Sequence, residues 1–224
     1  MLTFSAISKT YYQPDGDIQV LRQADLHLPA GQTAALLGES GCGKSTLLHL
    51  AAGLDQPDSG QIIINGQRAS DFNDRQWNHL RRETLSLVFQ QYHLVPTLSV
   101  LDNLLLQARL ANRLNPALQQ HLIDRLGLVP LLGRLPHQLS GGQQQRVAIG
   151  RVLMHQPRLI LADEPTGNLD EATSHSVMKL FTTLVKETGS SLLMVTHSQV
   201  MANYLDHQWL LQAGQITPVL ARDT

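Results

Sequence analysis

Apolar and polar residues alternate over residues 2–8, the period of a strand with one buried face. Tyr11, Tyr12 and a turn-rich Gln13-Pro14-Asp15-Gly16-Asp17 follow, and strand character resumes over residues 18–29. These segments predict an antiparallel layer at the N-terminus. Residues 33–37 read as a buried strand, residues 158–164 as another that ends in two acids after four apolar residues, and 85–89 and 191–196 as further strands. Residues 61–64 form another, closed by Asn65-Gly66, a strong hairpin signal. Helices are expected over 46–52 and 71–82, the latter a polar surface helix bearing Trp77.

Residues 92–154 contain no strand candidate. Ser99 caps a helix over 101–112, Asn115-Pro116 opens a second that stops before Gly127, and Leu139-Ser140-Gly141-Gly142-Gln143 opens a third that runs to 154. Asp170 then caps a helix ending at Thr188-Gly189, and a hairpin over 209–216 turns at Gly214. The pattern predicts one α/β domain, with residues 1–91 and 156–224 forming a core and 92–155 an inserted helical subdomain.

Composition narrows the class. The 224 residues are 42% hydrophobic and 16% charged, with a net charge of −1, so the chain reads as globular and not as a polybasic binder of nucleic acid. No apolar run is long enough to span a bilayer, which leaves a cytosolic protein or one held at a membrane by a partner. Cys42 is the single cysteine and excludes an internal disulfide.

The candidate chemistry centres on Gly38-Glu39-Ser40-Gly41-Cys42-Gly43-Lys44-Ser45-Thr46. It fits the phosphate-loop pattern G-x-x-x-x-G-K-S/T, between a predicted strand and a predicted helix. Glycines let backbone N–H groups turn toward a polyanion, Lys44 adds a full charge for the β- and γ-phosphates, and the Ser45 hydroxyl can ligate Mg²⁺. Cys42, at a helix start, is expected to react with alkylating agents and to be protected by nucleotide. Strand ends carry Gln90, Asp163, Glu164 and His197. Asp163 suits the Mg²⁺ shell and Glu164 the polarisation of an attacking water. The Ser140-Gly141-Gly142 helix start is a second potential anion site. No paired Cys/His metal spacing is present.

These residues, in this order, resemble the nucleotide-binding subunits of ABC transporters, and the resemblance covers essentially the whole chain. It implies a phosphate-loop NTPase fold of RecA-like type, with a parallel sheet core, an N-terminal antiparallel β layer and an inserted α-helical subdomain. It implies ATP and Mg²⁺ as ligands, with Tyr11 stacking on adenine and Tyr12 in reserve. Lys44 and the amides of residues 38–46 would hold the phosphates; Ser45 and Gln90 would ligate Mg²⁺, and Asp163 would reach it through water. Glu164 is then the general base and His197 a γ-phosphate contact. Ser140, Gly141, Gly142 and Gln143 would complete the site of a second copy of the chain in a head-to-tail dimer, with Asp170 on the loop crossing the interface. The helical section after Gln90 resembles the surface where a cytoplasmic permease helix docks. The implied location is the cytoplasmic face of the inner membrane, reached through permease subunits.

Gly38-Glu-Ser-Gly41, Leu139-Ser-Gly-Gly-Gln-Gln-Gln-Arg-Val-Ala148 and Asp163-Glu-Pro-Thr-Gly-Asn-Leu-Asp170 resemble the subgroup serving lipoprotein release, macrolide export and bacterial cell division. Gln144 and Gly150 depart from its usual residues and leave the transported substrate open. An importer subunit for amino acids or peptides shares the general motifs but not these phrases. Soluble ABC ATPases acting on DNA or ribosomes usually carry a coiled-coil insertion, a zinc module or a second cassette. This chain shows none of these.

Overall fold

The computed structural model describes residues 1–14 and 16–219, so Asp15 of the expected turn lies outside the described residues. In chain order the elements are β1 (Leu2–Tyr11), β2 (Ile18–Leu28), β3 (Thr33–Leu37), α1 (Lys44–Ala52), β4 (Ser59–Ile64), β5 (Gln67–Arg68), α2 (Asp74–Glu83) and β6 (Leu85–Val88). There follow α3 (Val100–Leu110), α4 (Pro116–Arg125), α5 (Gly141–Leu153), β7 (Leu159–Asp163), α6 (Glu171–Glu187), β8 (Ser191–Thr196), α7 (Gln199–Ala202), β9 (His207–Gln212) and β10 (Gln215–Pro218). Between β6 and β7 the described regular structure is helical.

Two sheets form. An antiparallel one has the order β2-β1-β4-β5, and a six-stranded one the order β10-β9-β3-β8-β7-β6. In the larger sheet β9, β3, β8, β7 and β6 run parallel, and β10 adds an antiparallel edge. The alternation of side chains along a strand explains why this sheet separates two cores. Ala34 and Leu36 of β3 face a cluster with α1 and the antiparallel sheet, including Leu2, Phe4 and Leu47. Ala35 and Leu37 face the other cluster, with Leu104 of α3, Val147 of α5 and Phe181 of α6. Strands covered on both faces must be apolar throughout, and every residue of β3 and β8 is buried.

One expectation is corrected. Trp77 does not sit on the surface: it is 7% exposed, with its ring edge-on to Phe72 at a centroid distance of 5.7 Å. The cause lies at the end of α1. Gly53 closes that helix in the left-handed region (φ 64°), and a Cβ there would stand 2.1 Å from Trp77 Cδ2. The glycine both permits the turn and leaves the slot that the indole fills. Helix α2 thus presents polar residues outward and Trp77 and Leu80 inward.

Candidate functional site

The parallel pairing of β3, β8, β7 and β6 sets their carboxyl ends along one edge. Leu37 of β3 is level with Thr196 of β8, Asp163 of β7 with Val195, and Val88 of β6 with Ala162. Gly38, His197 and Glu164 follow directly at these ends, and Gln90 two residues after β6. Open parallel sheets bind ligands at that edge.

The loop before α1 is shaped by its glycines. Gly43 stands at the helix start with φ 107°, without a side-chain cap, so first-turn N–H groups are left for a ligand. Lys44 is buried, and its Nζ donates to the carbonyls of Gly38 (2.8 Å) and Glu39 (2.7 Å). Two of the ammonium's three hydrogens therefore fix its place over the loop. Cys42 turns inward: its Sγ lies 2.6 Å from where a Gly38 Cβ would be, and it packs against the apolar cluster around α1. Glu39, Ser40 and Ser45 are exposed, and Thr46 is half-buried.

Tyr11, Ile18, Val20, Gly41, Gly43, Lys44, Ser45 and Thr46 line a concavity of about 300 Å³ beside this loop. The Tyr11 hydroxyl donates to Asp55 Oδ2 (2.9 Å), and the Lys9 ammonium sits 5.2 Å from the ring centroid. Lys9 in turn pairs with Asp55 at 2.8 Å. Tyr12 is 77% exposed and does not line the concavity. Asp55, which anchors Tyr11, carries no sequence signal of its own: it lies in an ordinary polar turn.

Asp163 is half-buried at the end of β7, and burial pushes its carboxyl above the usual carboxylate range. The neighbouring Glu164 charge adds to this, while the Ser45 hydroxyl, His49 and Lys44 pull the other way. Ser45 and Asp163 are thus brought together as oxygen donors. Glu164 takes a left-handed backbone (φ 42°), with its N–H donating to Val195 O at 3.0 Å. Its Oε1 meets His197 Nδ1 at 2.8 Å. Glu164, Thr166, Leu169, Thr196 and His197 line an adjoining concavity of about 320 Å³. Gln90 lies against the segment after Glu164: Nε2 donates to Asn168 Oδ1 at 3.3 Å, and Asn168 Nδ2 donates to Gln90 O at 3.1 Å.

The start of α5 is a reciprocal cap. Ser140 Oγ accepts from Gln143 N (3.3 Å), and Gln143 Oε1 accepts from Ser140 N (2.9 Å). Both side chains are used within the cap, and among the described residues the Gly141 and Gly142 amides have no hydrogen-bond partner. The Tyr92 hydroxyl sits over Gly141, 2.9 Å from where a Cβ would be. At the other end of α5, Arg151 donates to His93 O (2.7 Å) and Tyr92 O (3.0 Å). The segment just after Gln90 is thus bonded to one end of α5 and lies against the other. A lone arginine in the apolar run Val147-Ala-Ile-Gly-Arg-Val-Leu153 is the signal that a buried charge seeks partners there. Asp170 caps α6, accepting from Thr173 N at 3.0 Å, and its carboxyl is held below the usual range by that residue.

A cation at Ser45 and Asp163 meets hard oxygen donors, and no group of three His, Cys, Asp or Glu that could enclose a metal occurs among the described residues. Oxygen donors of this kind would suit a hard divalent cation such as Mg²⁺.

Comparison with known proteins gives the family of the chain. Residues 21–167 match the family described as ABC transporter. The lipoprotein-releasing system ATP-binding protein LolD of Legionella pneumophila (strain Lens) is 40% identical over 219 residues, 96% of each chain. The protein of the same name from Maricaulis maris (strain MCS10) is 41% identical over 221 residues, covering 97% of this chain and 96% of that one. Among solved structures, the dimeric post-hydrolysis state of the ATP-binding cassette MJ0796 bound to ADP and Pi is similar over 100% of both chains, with 32% identity and a TM-score of 0.88. The phosphate loop, the strand-end acids and these whole-length similarities lead to one conclusion: the chain belongs to the ABC transporter family, as one of its ATP-binding subunits.

Proposed function

We propose that this chain hydrolyses ATP for a membrane export or mechanotransmission complex of the lipoprotein-releasing type. It pairs head to tail with a second copy around two ATP molecules, and integral membrane permease subunits are its partners. The observation that carries the reading is convergence. Lys44, Asp163 and the Glu164–His197 pair come from three neighbouring parallel strand ends and meet at one edge.

Lys44 and the open loop amides bind the phosphates, and Tyr11 offers its ring to the base. Glu164 accepts the proton of the attacking water, and His197 holds the carboxylate in place through the 2.8 Å contact. Mg²⁺, when bound, neutralises charge between the phosphate oxygens, and Ser45, Gln90 and, through water, Asp163 would hold it. Among the described residues no hydrogen bond joins Ser140–Gln143 to the loop of residues 38–46. This supports their use in trans, where the Gly141 and Gly142 amides, unpaired among the described residues, meet the partner's nucleotide. A monomer then lacks half of each phosphate cradle, and ATP acts as the adhesive of the dimer. Residues 92–155 serve as the helical unit facing the permease, and the complex works at the cytoplasmic face of the inner membrane. Attachment to the membrane runs through the permease; no helix among the described residues is long and apolar enough to cross a membrane.

Co-purification from detergent-solubilised membranes, followed by mass spectrometry, tests this assignment. A four-helix permease with a large extracytoplasmic domain is the expected companion. A multi-helix importer permease with a solute-binding protein would overturn the subgroup, and ribosomes or DNA would overturn transport itself.

A further inference from the structure

The side-chain amide of Gln90 has two ends of nearly equal shape, and only the oxygen end can ligate a cation. Its surroundings decide which end is free. Asn168 Nδ2 donates to the backbone carbonyl of Gln90 at 3.1 Å, and a carbonyl can only accept. That contact fixes the Asn168 amide, so its oxygen is the end facing Gln90. Asn168 Oδ1 then accepts at 3.3 Å, which makes the Gln90 end there the nitrogen. Gln90 Oε1 is left without a protein partner among the described residues. Gly167 completes the seat: a Cβ there would stand 2.9 Å from Gln90 Nε2 and 3.3 Å from Cδ, so a side chain at that position would push the amide away.

We propose that Asn168 is a positioning residue that turns the oxygen of Gln90 toward the Mg²⁺ site. The inference rests on the reading of Gln90 as a Mg²⁺ ligand. A ligand whose other end is held by an outer hydrogen bond needs no reorientation when the cation arrives. The chemistry is specific to an amide. A carboxylate at position 90 would present oxygen at both ends and would need no such orientation. Asn168 also lies two positions before Asp170 in the chain, so the arrangement ties the metal ligand to the loop proposed to cross the dimer interface.

The test compares nucleotide affinity with and without metal, by calorimetric titration of the Mn²⁺ complex of a non-hydrolysable ATP analogue and of the analogue in chelator. The ratio is the metal-dependent gain. In the otherwise native chain, Asn168→Ala is expected to lower this gain by about 10-fold, the usual scale for loss of an outer-shell partner, and to leave the affinity in chelator unchanged. In a Gln90→Glu background the same Asn168→Ala change is expected to alter the gain by less than about 2-fold, because a carboxylate needs no orienting partner. Equal losses in both backgrounds, or no loss in the native one, would overturn the role of Asn168 while leaving Gln90 a ligand. A gain that survives Gln90→Ala would overturn the ligand reading itself, and this inference with it.

Discussion

Glu164 Oε1 and His197 Nδ1 stand 2.8 Å apart, although the two residues are 33 positions apart in the chain. Their meeting follows from β7 and β8 being parallel neighbours, level at Asp163 and Val195. The histidine is largely exposed and the carboxylate mostly covered, so the pair has a fixed inner member and an outer member that solvent and ligand can reach.

Replacing Glu164 by Gln keeps the shape and removes the base. Steady-state ATP turnover is expected to fall by roughly 10²-fold or more, the scale for loss of a general base, with nucleotide affinity preserved. Turnover near that of the unaltered chain would remove Glu164 from the chemistry.

Burial disfavours the charged form of Asp163 and raises its carboxyl above the usual carboxylate range. An acid whose folded pKa is raised contributes stability that is complete below its unfolded pKa and lost as pH rises through the folded one. At neutral pH the nucleotide-free chain therefore bears a cost, and Asp163→Asn is expected to raise its melting temperature while abolishing Mg²⁺-dependent hydrolysis. A lower melting temperature at pH 7 would contradict the assigned environment.

His155 gives the opposite slope. It is 2% exposed beside Ser86, and burial pushes its pKa from 6.5 down to about 4. The unfolded chain takes up this proton near pH 6.5 and the folded one only near 4, so stability is unaffected above that window and falls as pH drops through it. The full loss is about 3 kcal/mol, which urea unfolding at pH 7.5 and pH 5 would begin to register. His155→Gln is expected to flatten that part of the profile.

Arg151 joins α5 to the carbonyls of Tyr92 and His93. Arg151→Ala leaves both acceptors without this partner and is expected to cost about 2–4 kcal/mol in denaturant unfolding, with Arg151→Lys recovering part of it.

Much of this was legible in the residues because buried parallel strands leave uninterrupted apolar runs. The expected strand at residues 33–37 coincides with β3, and Asn65-Gly66 makes the expected turn, both residues having positive φ. The phosphate loop and the strand-end acids are legible for a similar reason: few residue types can do that chemistry at that spacing. What stayed hidden depends on pairs distant in sequence. The polarity of residues 71–82 gives no hint that Gly53 leaves a slot for Trp77. Nor does the sequence reveal that Asp55 holds Tyr11 or that Asn168 holds Gln90, since each is a common polar residue in a turn.

If ATP joins two copies of this chain, light scattering of the Glu164→Gln protein after size exclusion shows it most directly. With ATP and Mg²⁺ the particle is expected to have twice the mass of the chain, and with ADP the mass of one. Ser140→Arg, placed where the partner's nucleotide would lie, is expected to keep the protein monomeric in ATP. A particle whose mass ignores the nucleotide, or a dimer that Ser140→Arg leaves intact, would contradict the head-to-tail account.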